Sequence, residues 1–270
     1  MKNIKSFLGA AGVATVAALS MSTAALADDD VNKFGYSITI SGTSDYMFRG
    51  LSFTNSDPAF QPFIEFTYGK PDLTFYLDFW GSNIAAPFGP FELDMYTGVR
   101  TVTGPINWDF ALWYYTYPNN SISPGNPLSP GRNDNGDYIE LKAAAQINPT
   151  KELSTGVTFF YTPDQGNNYG ETWTVEGNAS YTLPDFHGFT PVVGGALGYT
   201  SGIGSNNDPF LYGTKDYVYW NAGLKLSIDK YFMDFRYWDT NISKADALSD
   251  GSDIGNADSR FVFTAGVNLP

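Results

Sequence analysis

The side chains able to do chemistry in this chain are mostly charged groups at alternating positions, a spacing that suits an aqueous wall better than a reaction centre. In runs that alternate between apolar and polar residues, the polar face carries Glu65, Asp78, Glu92, Asp94, Asp109, Glu140, Glu176 and Asp234, with Asp45 near a mouth. The bases on the same face are Arg49, Arg100, Lys142, Lys225 and Arg236. Carboxylates outnumber bases, so a lumen lined by this set favours cations. The alternative for the same groups is mutual pairing into a plug that seals a small barrel. Parity puts Asp45, Arg49, Glu92 and Asp94 near one mouth, where a guanidinium facing carboxylates makes a constriction. The competing reading is that Arg49 ties the first long connection to the wall through Asp45 or Asp57.

Signals of catalysis are poor. The single histidine, His187, falls in a short connection, away from any polar-face serine at the opposite rim. A Ser-His-acid arrangement needs hydrogen-bond contact, so the chain reads as no enzyme and implies no cofactor. There is no cysteine, which excludes disulfides and thiolate metal sites. Asp250, Asp253, Asn256 and Asp258 could hold calcium, but their spacing matches no loop motif and reads as a solvated acidic loop.

The elements that position these groups are clearest from Tyr217 to Trp238. Val218, Trp220, Ala222, Leu224, Leu226 and Ile228 share one face, Tyr217, Tyr219, Asn221, Lys225 and Ser227 the other. The alternation resumes after Asp229-Lys230, so the stretch predicts a hairpin with Ile228 opposite Tyr231. The same rhythm predicts twelve strands, beginning near Phe34, Ala59, Leu73, Phe91, Ile106, Asp137, Leu153, Tyr169, Thr190, Asp216, Tyr231 and Ser259. Two further registers follow: Tyr68 opposite Leu73, and Thr103 opposite Ile106.

The connections alternate in length. Gly69–Asp72, Gly104-Pro105, Asn148–Glu152, Pro184–Phe189 and Asp229-Lys230 are short; Arg49–Pro58, Asn83–Pro90, Pro118–Gly136, Thr162–Asn168, Ser201–Lys215 and Asn241–Asp258 are long and polar. Short periplasmic turns and long external loops are the habit of outer-membrane barrels. The expected fold is therefore all-β: a transmembrane antiparallel up-and-down β-barrel of about 12 strands, both termini periplasmic, in the outer membrane of a Gram-negative bacterium. Twelve strands at ~4.8 Å spacing and ~40° tilt imply a backbone diameter of roughly 24 Å. Tyr68, Trp108, Trp113, Tyr114, Tyr117, Tyr161, Tyr199, Tyr219, Trp220 and Trp238 lie near strand ends, where aromatic rings favour the membrane interfaces.

Met1 to Ala27 has lysines at 2 and 5, an apolar run from Phe7 to Leu19 and Ala25-Leu26-Ala27, the pattern of a secretory signal peptide. Residues 28–270 then form one barrel domain. Without Lys2 and Lys5 the formal charge of -13 becomes -15, which argues against nucleic acid as a partner. The expected partners are outer-membrane lipid and small solutes or ions, with the barrel a monomer or homotrimer.

Four motifs occur in order: Asp45-Tyr46-Met47-Phe48-Arg49-Gly50, Asp57-Pro58-Ala59-Phe60-Gln61, Trp80-Gly81-Ser82-Asn83 and Glu92-Leu93-Asp94-Met95-Tyr96-Thr97-Gly98. Together they resemble the TorF family of bacterial outer-membrane porins. The resemblance implies a barrel that passes small polar or cationic solutes by diffusion, without naming one. The alternative function is a plugged structural or recognition barrel whose external loops bind a partner.

Overall fold

The computed structural model describes residues 31–85, 90–118, 137–163, 171–203, 216–243 and 256–270. The signal-peptide reading, Asp250 and Asp253 lie outside them.

Twelve strands close into one antiparallel barrel: β1 (Lys33–Thr43), β4 (Ala59–Lys70), β5 (Leu73–Asn83), β6 (Phe91–Thr103), β7 (Ile106–Thr116), β8 (Tyr138–Ile147), β9 (Leu153–Thr162), β10 (Glu171–Thr182), β11 (Thr190–Ile203), β12 (Asp216–Ile228), β13 (Tyr231–Thr240) and β14 (Arg260–Leu269). Two short strands, β2 (Met47–Phe48) and β3 (Leu51–Ser52), pair only with each other. Each wall strand neighbours its successor, and β14 returns to β1, so no edge is left open.

The period-two pattern explains the wall. Phe75, Leu77, Phe110, Leu112, Leu141, Phe159, Leu197 and Phe235 point outward and are exposed, while Tyr76, Asp78, Asp109, Trp113 and Glu140 between them point inward and are buried. An outer surface of this composition matches the outward apolar band of membrane barrels. The registers Ile228–Tyr231 and Thr103–Ile106 are as expected. The Tyr68–Leu73 pairing is not: Lys70 faces Leu73 and Tyr68 faces Phe75, so the turn has two residues, Pro71-Asp72. Gly69 continues the ladder because, at φ 148°, it lets the chain pass where a Cβ would lie 2.2 Å from the Leu73 carbonyl oxygen.

Two expectations fail in the same region for the same reason. Trp113, Tyr117, Tyr219 and Trp238 occupy inward positions and are buried inside the barrel, not at the membrane interfaces. Nor is the first long connection, predicted as an external loop over Arg49–Pro58, wholly external: Tyr46 to Thr54 are buried. A barrel of this width leaves a cavity, and these rings and the β2–β3 hairpin fill it.

Candidate functional site

The site is built around the β2–β3 hairpin, which leaves β1 and crosses the lumen. Phe48 pairs with Leu51 across Arg49-Gly50, whose φ values of 49° and 82° suit a two-residue turn with both central residues left-handed. Gly50 is required there twice over, since a Cβ would also meet Thr240 Cγ2 at 2.6 Å and Tyr219 Cβ at 2.8 Å. Arg49 holds its unfavourable φ because its side chain is fixed from every direction. Its Nη2 donates to Glu140 Oε1 on β8 at 2.7 Å, and its guanidinium lies 4.7 Å from the Phe48 ring and 4.6 Å from the Phe160 ring. Burial works against the Arg49 charge, but Glu140 together with Tyr115 and Tyr219 outweighs it, and the guanidinium is held well above the ordinary arginine range. Glu140 is completed by Tyr115 Oη at 3.1 Å and Thr162 Oγ1 at 3.0 Å. In the closed order β8 and β9 stand across the barrel from β1, so the hairpin is a strut over the full width.

The root of the strut is equally tied. Asp45 Oδ1 accepts from Ser52 Oγ at 2.6 Å and Thr54 Oγ1 at 2.7 Å, and Asp45 Oδ2 pairs with Arg260 Nη1 on β14 at 2.6 Å. Arg49 thus ties the hairpin to the wall through Glu140, and not through Asp45 or Asp57. Around it Tyr46 packs on Trp80 at 5.0 Å, Tyr115 stacks on Tyr138 at 4.4 Å and Trp113 meets Phe160 at 5.3 Å. The carboxylate that Arg49 meets is Glu140, not Glu92 or Asp94. Glu92 accepts from the Tyr117 hydroxyl at 3.2 Å and Asp94 from the Tyr96 hydroxyl at 2.6 Å, and among the described residues neither carboxylate has an ion pair.

Below the strut runs a belt of charge. Arg100 Nη2 forms an ion pair with Glu65 Oε2 at 2.5 Å, and its guanidinium is 4.1 Å from the Tyr76 ring. Asp109 receives Lys142 Nζ at 2.8 Å and Tyr76 Oη at 2.7 Å. Asp78 faces Glu65 directly across β4 and β5, with Oδ1 lacking a partner. On the far wall Glu176 accepts from Tyr219 Oη at 2.8 Å, Asp234 pairs with Arg236 at 2.9 Å, and Lys225 sits 4.5 Å from the Phe232 ring. Most of these charged groups are joined in pairs. Arg260 was missed by sequence reasoning, although parity from the buried Val262 places it on the same face.

Toward the short-turn end the inward positions change to small polar groups: Ser37, Thr39, Gln146, Ser154, Asn178, Ser180 and Asn268, all half-buried. His187 lies at that end with φ 49° and its ring against Phe186, removed from the strut. Among the described residues no group of three His, Cys, Asp or Glu is placed to hold a metal ion.

Residues 28–266 match a family described as "Bacterial protein of unknown function (Gcw_chp)". The chain belongs to that family. The match carries a family name other than TorF, and so the resemblance of the Ser44–Gly98 motifs stands for the barrel alone. Solved structures similar to this Gcw_chp chain include the KdgM porin, at 10% identity over 87% of this chain and 98% of that one with a TM-score of 0.51. The NanC porin is similar at 11% identity, covering 86% and 99% with a TM-score of 0.50. A KdgM porin in complex with disordered oligogalacturonate gives 10%, 87% and 98%, and 0.50. No curated protein matches the sequence. At such identities the likeness is one of fold: the Gcw_chp chain has the barrel of outer-membrane porins.

Proposed function

We propose that the protein is an outer-membrane channel for passive diffusion of small polar or cationic solutes, present as a monomer or homotrimer, with the β2–β3 strut as its constriction. The observation that carries this reading is the contrast along the lumen: a half-exposed polar wall at the short-turn end leads to a belt in which carboxylates outnumber cations, and then to the strut. The acidic excess favours cations and opposes polyanions. Nothing in the reading requires catalysis, since His187 lies away from the charged belt.

The start of β1 and the end of β14 lie at the short-turn end, which in barrels of this class faces the periplasm. Single cysteines at Asn126 and Asp250 are expected to label from outside intact cells and one at Lys230 is not; the reverse pattern inverts the orientation.

A second reading is supported by the continuous apolar cluster from Tyr46 through Trp113 to Trp238, which suits a permanently plugged barrel whose external loops bind a partner. Planar-bilayer recording of the folded protein separates the two. The channel reading expects discrete cation-selective steps that enlarge when residues 45–53 are replaced by a short flexible link. A folded barrel silent in both forms sinks it.

A further inference from the structure

Glu92 and Asp94 are each 1% exposed, in the half of the lumen that the strut seals. Two other carboxylates in that half, Glu140 and Asp45, each hold an arginine. Among the described residues Glu92 and Asp94 have none: one oxygen of each accepts from a tyrosine, and Glu92 Oε2 and Asp94 Oδ1 have no hydrogen-bond partner there. Buried charge left in this condition is costly unless a counter-charge arrives. An independent acceptor lies in the same cross-strand row as Glu92. Gln61, 2% exposed, turns its amide toward β5, where Nε2 donates to Ser82 Oγ at 3.4 Å, and its Oε1 is likewise without a partner. Ser82 is the cross-strand neighbour of Glu92, so Gln61, Ser82 and Glu92 form one row, with Asp94 in the next. The unsatisfied atoms are all oxygen acceptors, a set that suits a cation as their partner.

We infer that Glu92 and Asp94, with the Gln61 carbonyl oxygen, form a binding site for a hard divalent cation of the calcium kind. Same-face residues two apart on a strand have Cα atoms about 6.6 Å apart, close enough for an Asp and a Glu to converge on one ion ligated at roughly 2.3 to 2.6 Å. Two carboxylates match a double positive charge, and the all-oxygen donor set is that of calcium or magnesium. Tyr46, from the root of the strut, packs on Trp80, the cross-strand neighbour of Asp94, so the ion would be enclosed when the strut is seated.

The test uses the full mature chain, refolded in detergent and stripped with EDTA, titrated calorimetrically with calcium chloride and melted with and without it. One site per chain is expected, with Tm raised at calcium a hundredfold above Kd. In Glu92→Gln/Asp94→Asn the affinity falls at least tenfold, the calcium shift in Tm disappears, and Tm in EDTA is no lower than that of the wild type. Gln61→Ala, which leaves both carboxylates in place, weakens binding several-fold and serves if the double variant does not fold. A wild type indifferent to calcium overturns the inference, as does unchanged affinity in these variants or equally tight binding of sodium. Binding is read without conductance, so the outcome is independent of the channel reading.

Discussion

The two ends of the lumen share one wall and differ in everything inside it. At the long-loop end, Trp80, Tyr96, Trp113, Tyr115, Tyr138, Phe160, Tyr219 and Trp238 reach inward and are buried against the strut. At the short-turn end the wall presents Thr74, Asn107, Ala144, Gly156, Asn178, Gly194 and Gly223, none fully buried. The backbone radius follows from strand number and shear and so is common to both ends. What differs is side-chain volume and the hairpin that only one end receives. A barrel of fixed width can therefore be core at one level and vestibule at another, and the boundary is the belt of Glu65, Asp78, Arg100, Asp109 and Lys142.

This comparison is broken most strongly by removing the strut. Replacing residues 45–53 with a short flexible link is expected to raise single-channel conductance several-fold while the folded barrel persists, read in planar bilayers; unchanged conductance would mean that the rings alone close the lumen. Next in size is Glu140→Ala, which strands the buried Arg49 charge and is expected to cost about 3 to 5 kcal/mol in denaturant unfolding. Replacing Arg49 and Glu140 together with Met and Gln should recover much of that loss, because no charge is then left unpaired. Leu77→Arg tests the outer face that both ends share: with Leu77 exposed on β5, it should cost roughly 2 to 4 kcal/mol near the bilayer midplane. The smallest effect belongs to Asp78→Asn at the boundary. Asp78 opposes Glu65 and its Oδ1 has no hydrogen-bond partner, so relief of like charge should leave stability unchanged or raised by up to about 1 kcal/mol. Damage as large as that from Leu77→Arg would show Asp78 to be held by the network after all.

The sharpest difference in legibility lies between the β12–β13 hairpin and the β2–β3 hairpin. The first announces itself, because Val218 to Ile228 and Tyr231 to Tyr237 alternate over many residues and the Ile228–Tyr231 register follows from parity. The second has two residues a side, too few for a period, and Tyr46-Met47-Phe48 has no polar alternation at all. Arg49-Gly50 was the available turn signal, read instead as the start of a loop. The inward set of charges was legible because parity alone assigns a face. Their partners were not: Arg49 and Glu140 are 91 residues apart, and no local pattern links them.

The sequence by itself determined the twelve wall strands, their faces and the alternation of short and long connections, since side-chain period and turn chemistry are properties of neighbouring residues. Closure was decided only in three dimensions. It is closure that sets β8 and β9 opposite β1 and gives Arg49 a carboxylate to reach, while leaving Glu92 and Asp94 buried without one. Which inward groups meet across a lumen depends on strand order around the ring and on the shape of the hairpin that crosses it, and neither is written in any one stretch of the chain.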